Sequence, residues 1–88
     1  MGHRRNIKKH LVLRLKQRYG IKLPGTIAIN ALKKCILSGG KYSKYLKPAN
    51  RDFRYVYLVR FQGKRIPVVY DHKERMPVTV LTFHEGMV

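Results

Sequence analysis

The stretch FRYVYLVRFQGKRIPVVYD, residues 53–71, decides the fold. Its first half alternates with the period of a strand: Phe53, Tyr55, Tyr57, Val59 and Phe61 share one face, and Arg54, Val56, Leu58 and Arg60 share the other. Gln62-Gly63 interrupts the pattern with a hairpin turn signal. A second strand is expected from Arg65 to Asp71. Pro67 near its start suits an edge or a bulge, because proline has no N–H for a ladder. A charged turn, His72-Lys73-Glu74-Arg75, leads to a third strand from Val78 to His84. There Val78, Val80, Thr82 and His84 share one face, and Thr79, Leu81 and Phe83 the other. Consecutive strands on short turns make an antiparallel meander.

A meander must cover one face, and two amphipathic segments upstream are the cover available. Asn6 to Tyr19 reads as a helix, with Ile7, Leu11 and Leu15 at i+4 spacing and Val12 and Tyr19 beside them. Asn6 is its expected N-cap and Gly20 its stop. A second helix is expected from about Thr26, as cap, to Ser38, with Ile29, Leu32, Cys35 and Ile36 as its apolar stripe and Gly39-Gly40 ending it. Between helices and strands, Lys41 to Asn50 reads as a basic loop carrying Tyr42 and Tyr45. The order is α-α-β-β-β. The expected class is α+β: two N-terminal helices packed on a three- to four-stranded antiparallel meander, in one domain spanning residues 1–88.

Charge points to the partner. Twenty Lys and Arg stand against four acids, Asp52, Asp71, Glu74 and Glu85, for a formal net charge of +16. A chain so charged repels itself, and a polyanion relieves that repulsion. Nucleic acid is the commonest polyanion a basic protein meets. An acidic membrane surface is the weaker fit, because no long basic amphipathic helix carries Trp or Phe anchors. No apolar run approaches the roughly 20 residues of a membrane span, and no signal peptide is expected. Cys35 is the one cysteine; it reads as a small buried hydrophobe in a reducing, cytoplasmic setting.

Three groups carry candidate chemistry. On the first helix His10, Arg14 and Arg18 are spaced i, i+4, i+8 and form a slanting row. Arg18 falls within the apolar arc, where it must snorkel or meet an anion. Lys8, Lys9 and Lys16 read as a solvated basic face. On the sheet, Arg54 and Arg60 share a face with two apolar residues between them, while Tyr55 and Tyr57 face the other way, as core or as base-stacking rings. On the last strand Thr79, Thr82 and His84 could contact a phosphate. No Cys or His cluster has zinc spacing, no glycine-rich nucleotide loop fits, and the acids are too scattered for a two-metal nuclease. No cofactor is expected. Cleavage here would use the RNA 2′-OH as nucleophile, with His, Tyr, Lys and Arg supplying acid, base and charge.

The pattern His10-x3-Arg14-x3-Arg18-Tyr19-Gly20-Ile21, then Arg54-Tyr55, Val68-Val69-Tyr70-Asp71 and Val78-Thr79-Val80, resembles the small RelE-like and colicin-like ribonuclease toxins of the barnase–EndoU–colicin–RelE fold. The resemblance covers about His10 to Thr82. It implies a helical part followed by an antiparallel sheet, with metal-independent RNA cleavage on that sheet. His10, Arg14, Arg54 and Thr79 or Thr82 would then carry the chemistry.

The expected function is therefore metal-independent endoribonuclease action, with His10, Arg14, Arg54, Thr82 and His84 as the catalytic group. Lys8, Lys9, Arg18, Lys41, Lys44, Lys47, Arg60, Lys64 and Arg65 would hold the nucleic acid. The alternative is a non-catalytic nucleic-acid- or ribosome-binding module, in which case a phage-encoded effector is one form it could take. RNA or the ribosome is the expected partner, with an acidic protein or antitoxin as the other possibility, and no membrane. The catalytic grouping requires His10 and Arg14 to border the face carrying Arg54; the competing arrangement buries that face under the helices.

Overall fold

In the computed structural model, which describes residues 2–87 with side chains over 7–86, the quoted stretch forms two strands joined by a tight hairpin. They are β2 (Arg54–Phe61) and β3 (Lys64–Asp71), paired in unbroken antiparallel register from Arg54↔Asp71 to Phe61↔Lys64. Gln62 and Gly63 both adopt positive φ, 51° and 72°. That is the two-residue turn whose twist matches the strands it joins, and Gly63 takes the left-handed backbone at no steric cost.

Two helices precede the hairpin, α1 (Gly2–Tyr19) and α2 (Gly25–Ile36). The strand β1 (Ser43–Pro48) lies before it, and β4 (Met76–Val80) and a short α3 (Phe83–Met87) follow. The sheet order is β1-β2-β3-β4, all antiparallel. The two N-terminal helices pack on this four-stranded meander, α1 chiefly along β4 and α2 chiefly across β2. Leu11, Leu15, Ala28 and Leu32 meet Val59, Ile66, Val68 and Val80 in a fully buried core. Each large aliphatic side chain so buried contributes roughly 1.5–3 kcal/mol. The helices thus cover the face that carries Tyr57 and Val59, and the arginine-bearing face of β2 is left on the other side.

Several boundaries differ from the sequence reading, each for a physical reason. The stretch expected as a basic loop, Lys41 to Asn50, contains β1, with Tyr45 opposite Tyr57 and Pro48 opposite Tyr55. Its register slips between Tyr45 and Lys47, so Leu46 is an extra residue that spoils the period-2 signature. α1 begins at Gly2, so Asn6 lies inside the helix rather than capping it, and the side chain of Asn6 lies outside the described ones. α2 starts one residue ahead of Thr26: Pro24 is its N-cap, and the Pro24 carbonyl accepts the first helical bond, from the Ala28 N–H at 2.9 Å. The helix ends at Ile36, short of Ser38.

Pro67, expected at an edge or bulge, sits fully buried in a central strand. Its carbonyl accepts from the Leu81 N–H at 2.8 Å, just past the end of β4. In an antiparallel pair of this kind the return bond would run from the N–H of residue 67 to the Leu81 carbonyl. Proline has no such N–H. The Tyr19 hydroxyl, from the end of α1, donates to that carbonyl instead.

The last strand, expected to reach His84, stops at Val80. Thr82 then caps α3 through a reciprocal box. The Glu85 N–H donates to Thr82 Oγ1 at 3.1 Å, and the Thr82 N–H donates to Glu85 Oε1 at 3.0 Å. The sequence Thr82-Phe83-His84-Glu85 is the capping pattern itself, and it overrides the alternation that Thr82 and His84 otherwise continue. Gly86 lies against Pro67, which places α3 on the arginine-bearing face, opposite α1 and α2.

Candidate nucleic-acid interface

The open face of the β2–β3 ladder is built from four cross-strand pairs: Arg54/Asp71, Val56/Val69, Leu58/Pro67 and Arg60/Arg65. The tight turn fixes this register, so the pairs at the two ends are charged and the two between are apolar. α3 covers the middle over Pro67. A cleft opens at each end.

The cleft at the hairpin end has a volume of about 790 Å³. Lys41, Arg60, Lys64 and Arg65 line it together with Tyr42, and no acid does. Four of the cations expected to hold nucleic acid are therefore brought together. Arg60 and Arg65 are direct cross-strand neighbours, a like-charge arrangement that destabilises a sheet. Lys41 stands over the Tyr42 ring at 5.3 Å, and Arg65 over the Phe83 ring at 5.6 Å. Lys64 Nζ reaches back to donate to the Tyr19 carbonyl.

The cleft at the opposite end, about 640 Å³, is floored by Val56, Val69 and Leu81 and walled by Lys47, Arg51, Arg54, Thr79 and Glu85. Arg54 Nε donates to Asp71 Oδ2 at 3.0 Å. Asp71 is buried, and its other oxygen accepts from the Lys73 and Glu74 N–H groups, both at 2.9 Å. Burial pushes the Asp71 carboxyl up, but the Glu74 N–H, the Arg54 side chain and the Lys73 N–H outweigh it and hold the group below its ordinary value. Lys47 Nζ donates to the Glu85 carbonyl at 3.1 Å.

α1 reaches the same region around the β4 edge. Arg18 Nη1 donates to the Val80 carbonyl at 3.0 Å and to Glu85 Oε1 at 3.1 Å. Arg18, read from its helical angle as having to snorkel or meet an anion, meets one within the chain. Hydrogen bonds from the Thr82 N–H and hydroxyl hold the Glu85 carboxyl below its ordinary value, and the Arg18 and Arg14 charges add to the effect.

Of the group expected to be catalytic, Thr82 Oγ1 donates to Glu85 Oε1 at 2.9 Å and Arg54 walls the same cleft as Glu85, while Arg14 on α1 acts on Glu85 only through its charge. His10 lies exposed on α1 and His84 exposed on α3. Lys8 and Lys9 are exposed on α1, and Lys44 is exposed on β1 opposite Leu58. Among the described residues no group of three His, Cys, Asp or Glu side chains could hold a metal ion, and no helix is long and apolar enough to cross a membrane.

The sequence reading named Tyr55 and Tyr57 but missed what they join. On the helix-bearing face, past the cover of α1 and α2, Tyr55, Tyr57 and Tyr70 surround His72, and Tyr45 packs against Tyr55 and Tyr57. The Tyr57 hydroxyl lies 2.8 Å from His72 Nε2. Burial pushes the Tyr57 and Tyr70 phenols up, so both stay neutral well past physiological pH. No motif announces His72; it was legible only as part of a charged turn.

No protein-family model, no curated protein and no solved structure matches this chain.

Proposed function

We propose that this protein binds RNA, with the sugar–phosphate backbone held on the arginine-bearing face. The observation that carries the reading is the hairpin-end cleft. Lys41, Arg60, Lys64 and Arg65 line it without a carboxylate, and two of them oppose each other across the ladder. An arrangement that costs stability in the free protein becomes favourable when an anion sits between the charges. The net charge of +16 extends that attraction over the whole surface. The preference for RNA comes from the resemblance to ribonuclease domains. Titrating a labelled RNA across a salt series tests the reading: affinity should fall steeply and linearly on log–log axes. A flat plot removes nucleic acid as the partner.

A second reading, metal-independent cleavage by 2′-OH attack, is favoured by the other cleft, which combines Arg54, Lys47, Thr79 and the Glu85 carboxylate. There the cations would hold the phosphate and Glu85 would face the attacking hydroxyl. Its lowered pKa makes it a weak base, and Thr82 and Arg18 already occupy it. Total RNA incubated with the protein in EDTA decides this reading. Cleavage leaving a 2′,3′-cyclic phosphate supports it, and intact RNA leaves binding alone.

A further inference from the structure

We infer that the Tyr45–Tyr55–Tyr57 surface beside His72 takes unpaired nucleobases, so that the RNA bound is single-stranded. The inference rests on the RNA-binding reading and deepens it.

Tyr45 and Tyr57 are paired across β1 and β2, and Tyr55 is the next residue on the same face of β2. Their rings lie close without stacking on one another. Tyr45 is 6.0 Å from Tyr55 at 54° and 5.8 Å from Tyr57 at 72°. Tyr45 is 49% exposed. A half-exposed aromatic ring on a sheet, flanked by inclined rings, is a stacking platform that any base satisfies, because every base has a π-face.

Charge selects the occupant. A cationic ligand for this aromatic cluster is disfavoured by the net charge of +16. At the rim, Lys73 lies over the exposed Phe53 ring at 5.9 Å, and Arg75 is close enough to Tyr70 to pull down its phenol pKa against burial. The phenols themselves stay neutral. Flat neutral rings edged by cations fit a ligand that is flat, aromatic and anionic, which describes a nucleotide. In a duplex the base faces are covered by their neighbours, so only an unpaired base reaches a protein ring. The cleft beside Arg54 lies on the opposite face of the sheet, and the hairpin-end cleft wraps the tip of the ladder, taking Arg60 and Arg65 from that face and Lys64 from this one. β1 is an edge strand, so a flexible single strand turning around that edge can place phosphates by Lys44 and Lys47 and bases on Tyr45.

The chain contains six Tyr and no Trp, so its intrinsic fluorescence is that of tyrosine, to which Tyr45, Tyr55 and Tyr57 contribute with three others. The full-length protein is titrated with a short oligouridylate and with a blunt RNA duplex of equal length, at one fixed salt concentration. The single strand should quench tyrosine fluorescence and bind more tightly than the duplex. Tyr45→Ala should weaken the single strand about tenfold or more and leave the duplex unchanged. Tyr45→Phe, which keeps the ring, should bind as wild type. Tyr45 is exposed, so its removal leaves the core intact, and a circular dichroism spectrum matching wild type verifies this. If Tyr45→Ala binds the single strand as wild type does, or the duplex binds equally well, base stacking is refuted while RNA binding stands. If neither RNA binds, both readings fall together.

Discussion

The Tyr19 hydroxyl donates to the carbonyl of Leu81, the acceptor that Pro67 is unable to serve. One proline in a central strand thereby ties the C-terminal end of α1 to the point where the chain leaves the sheet. Removing the hydroxyl leaves a carbonyl without its partner. Tyr19→Phe should therefore cost roughly 1–3 kcal/mol, read from urea denaturation. Burial pushes the Tyr19 phenol up, against the neighbouring Arg18 charge and with the Glu85 charge. A raised pKa in the folded state means that this contribution is complete below the ordinary value of 10.0 and is lost as pH rises through the folded value. The alkaline loss of stability should accordingly shrink in Tyr19→Phe, and an unchanged alkaline limb would count against the contact.

Asp71 governs the acid limb. Its folded pKa lies below the ordinary 3.8, so its contribution is present above that value and is lost as pH falls through the lower folded value. Wild-type stability should drop below about pH 4, as unfolding becomes linked to proton uptake. Asp71→Asn should lose Asp71's share of this dependence, leaving that of Glu85, and be less stable at neutral pH by roughly 1–3 kcal/mol, because Arg54 loses its charged acceptor. Parallel acid titrations of the two proteins by circular dichroism check it; coincident curves would show that Asp71 does not set the limb.

The contacts behind these predictions differ in how far the sequence discloses them. Arg54 opposite Asp71 is legible, because a two-residue turn at Gln62-Gly63 fixes every pair of the ladder. The same logic places Tyr57 and Val59 on one face and Arg54 and Arg60 on the other. β1 is hidden because Leu46 is an extra residue and Pro48 is a poor strand former; its partner β2 supplies the order that its own residues do not. α3 was legible from Thr82 and Glu85, but the continuing alternation of Val78, Val80 and Thr82 competes with that signal. Tyr19 and Leu81, Arg18 and Glu85, and His72 among its tyrosines meet only through the tertiary fold, and no local pattern encodes such pairs. That is why Glu85 is absent from the expected group: its bond to Arg18 forms only where α3 and α1 meet past β4.

Gly86 is the residue on which the seating of α3 depends. A Cβ built there would lie 2.2 Å from the Cβ of Pro67, far inside van der Waals distance, and Pro67 belongs to a central strand that does not yield. Gly86→Ala should push α3 off the sheet at a cost of about 1–3 kcal/mol. The Gly86 N–H, bonded to the Thr82 carbonyl at 3.0 Å, should exchange faster with solvent while the amides of β2 and β3 keep their order of protection. Unchanged exchange at the α3 amides would show that the helix does not rest on Pro67.

Arg60 and Arg65 separate function from stability. They oppose each other directly, with no acid lining the cleft between them, yet their other surroundings differ. Both are exposed, but Arg65 in addition stands over Phe83 and so helps hold α3. Arg60→Thr keeps a strand-favouring residue and removes one of the two repelling charges. It should stabilise the free protein by about 0.2–1 kcal/mol. Arg65→Thr relieves the same repulsion but gives up the cation–ring attraction, so its gain should be smaller or absent. Both variants should weaken RNA binding, and each should flatten the log–log salt slope by about 0.7 for every phosphate of a single strand that it no longer neutralises. Denaturation and salt-dependent titration of the same two proteins provide the check. A variant that loses stability and keeps its RNA affinity would mean that this pair belongs to the scaffold, and the hairpin-end cleft would no longer be the place where the backbone is held.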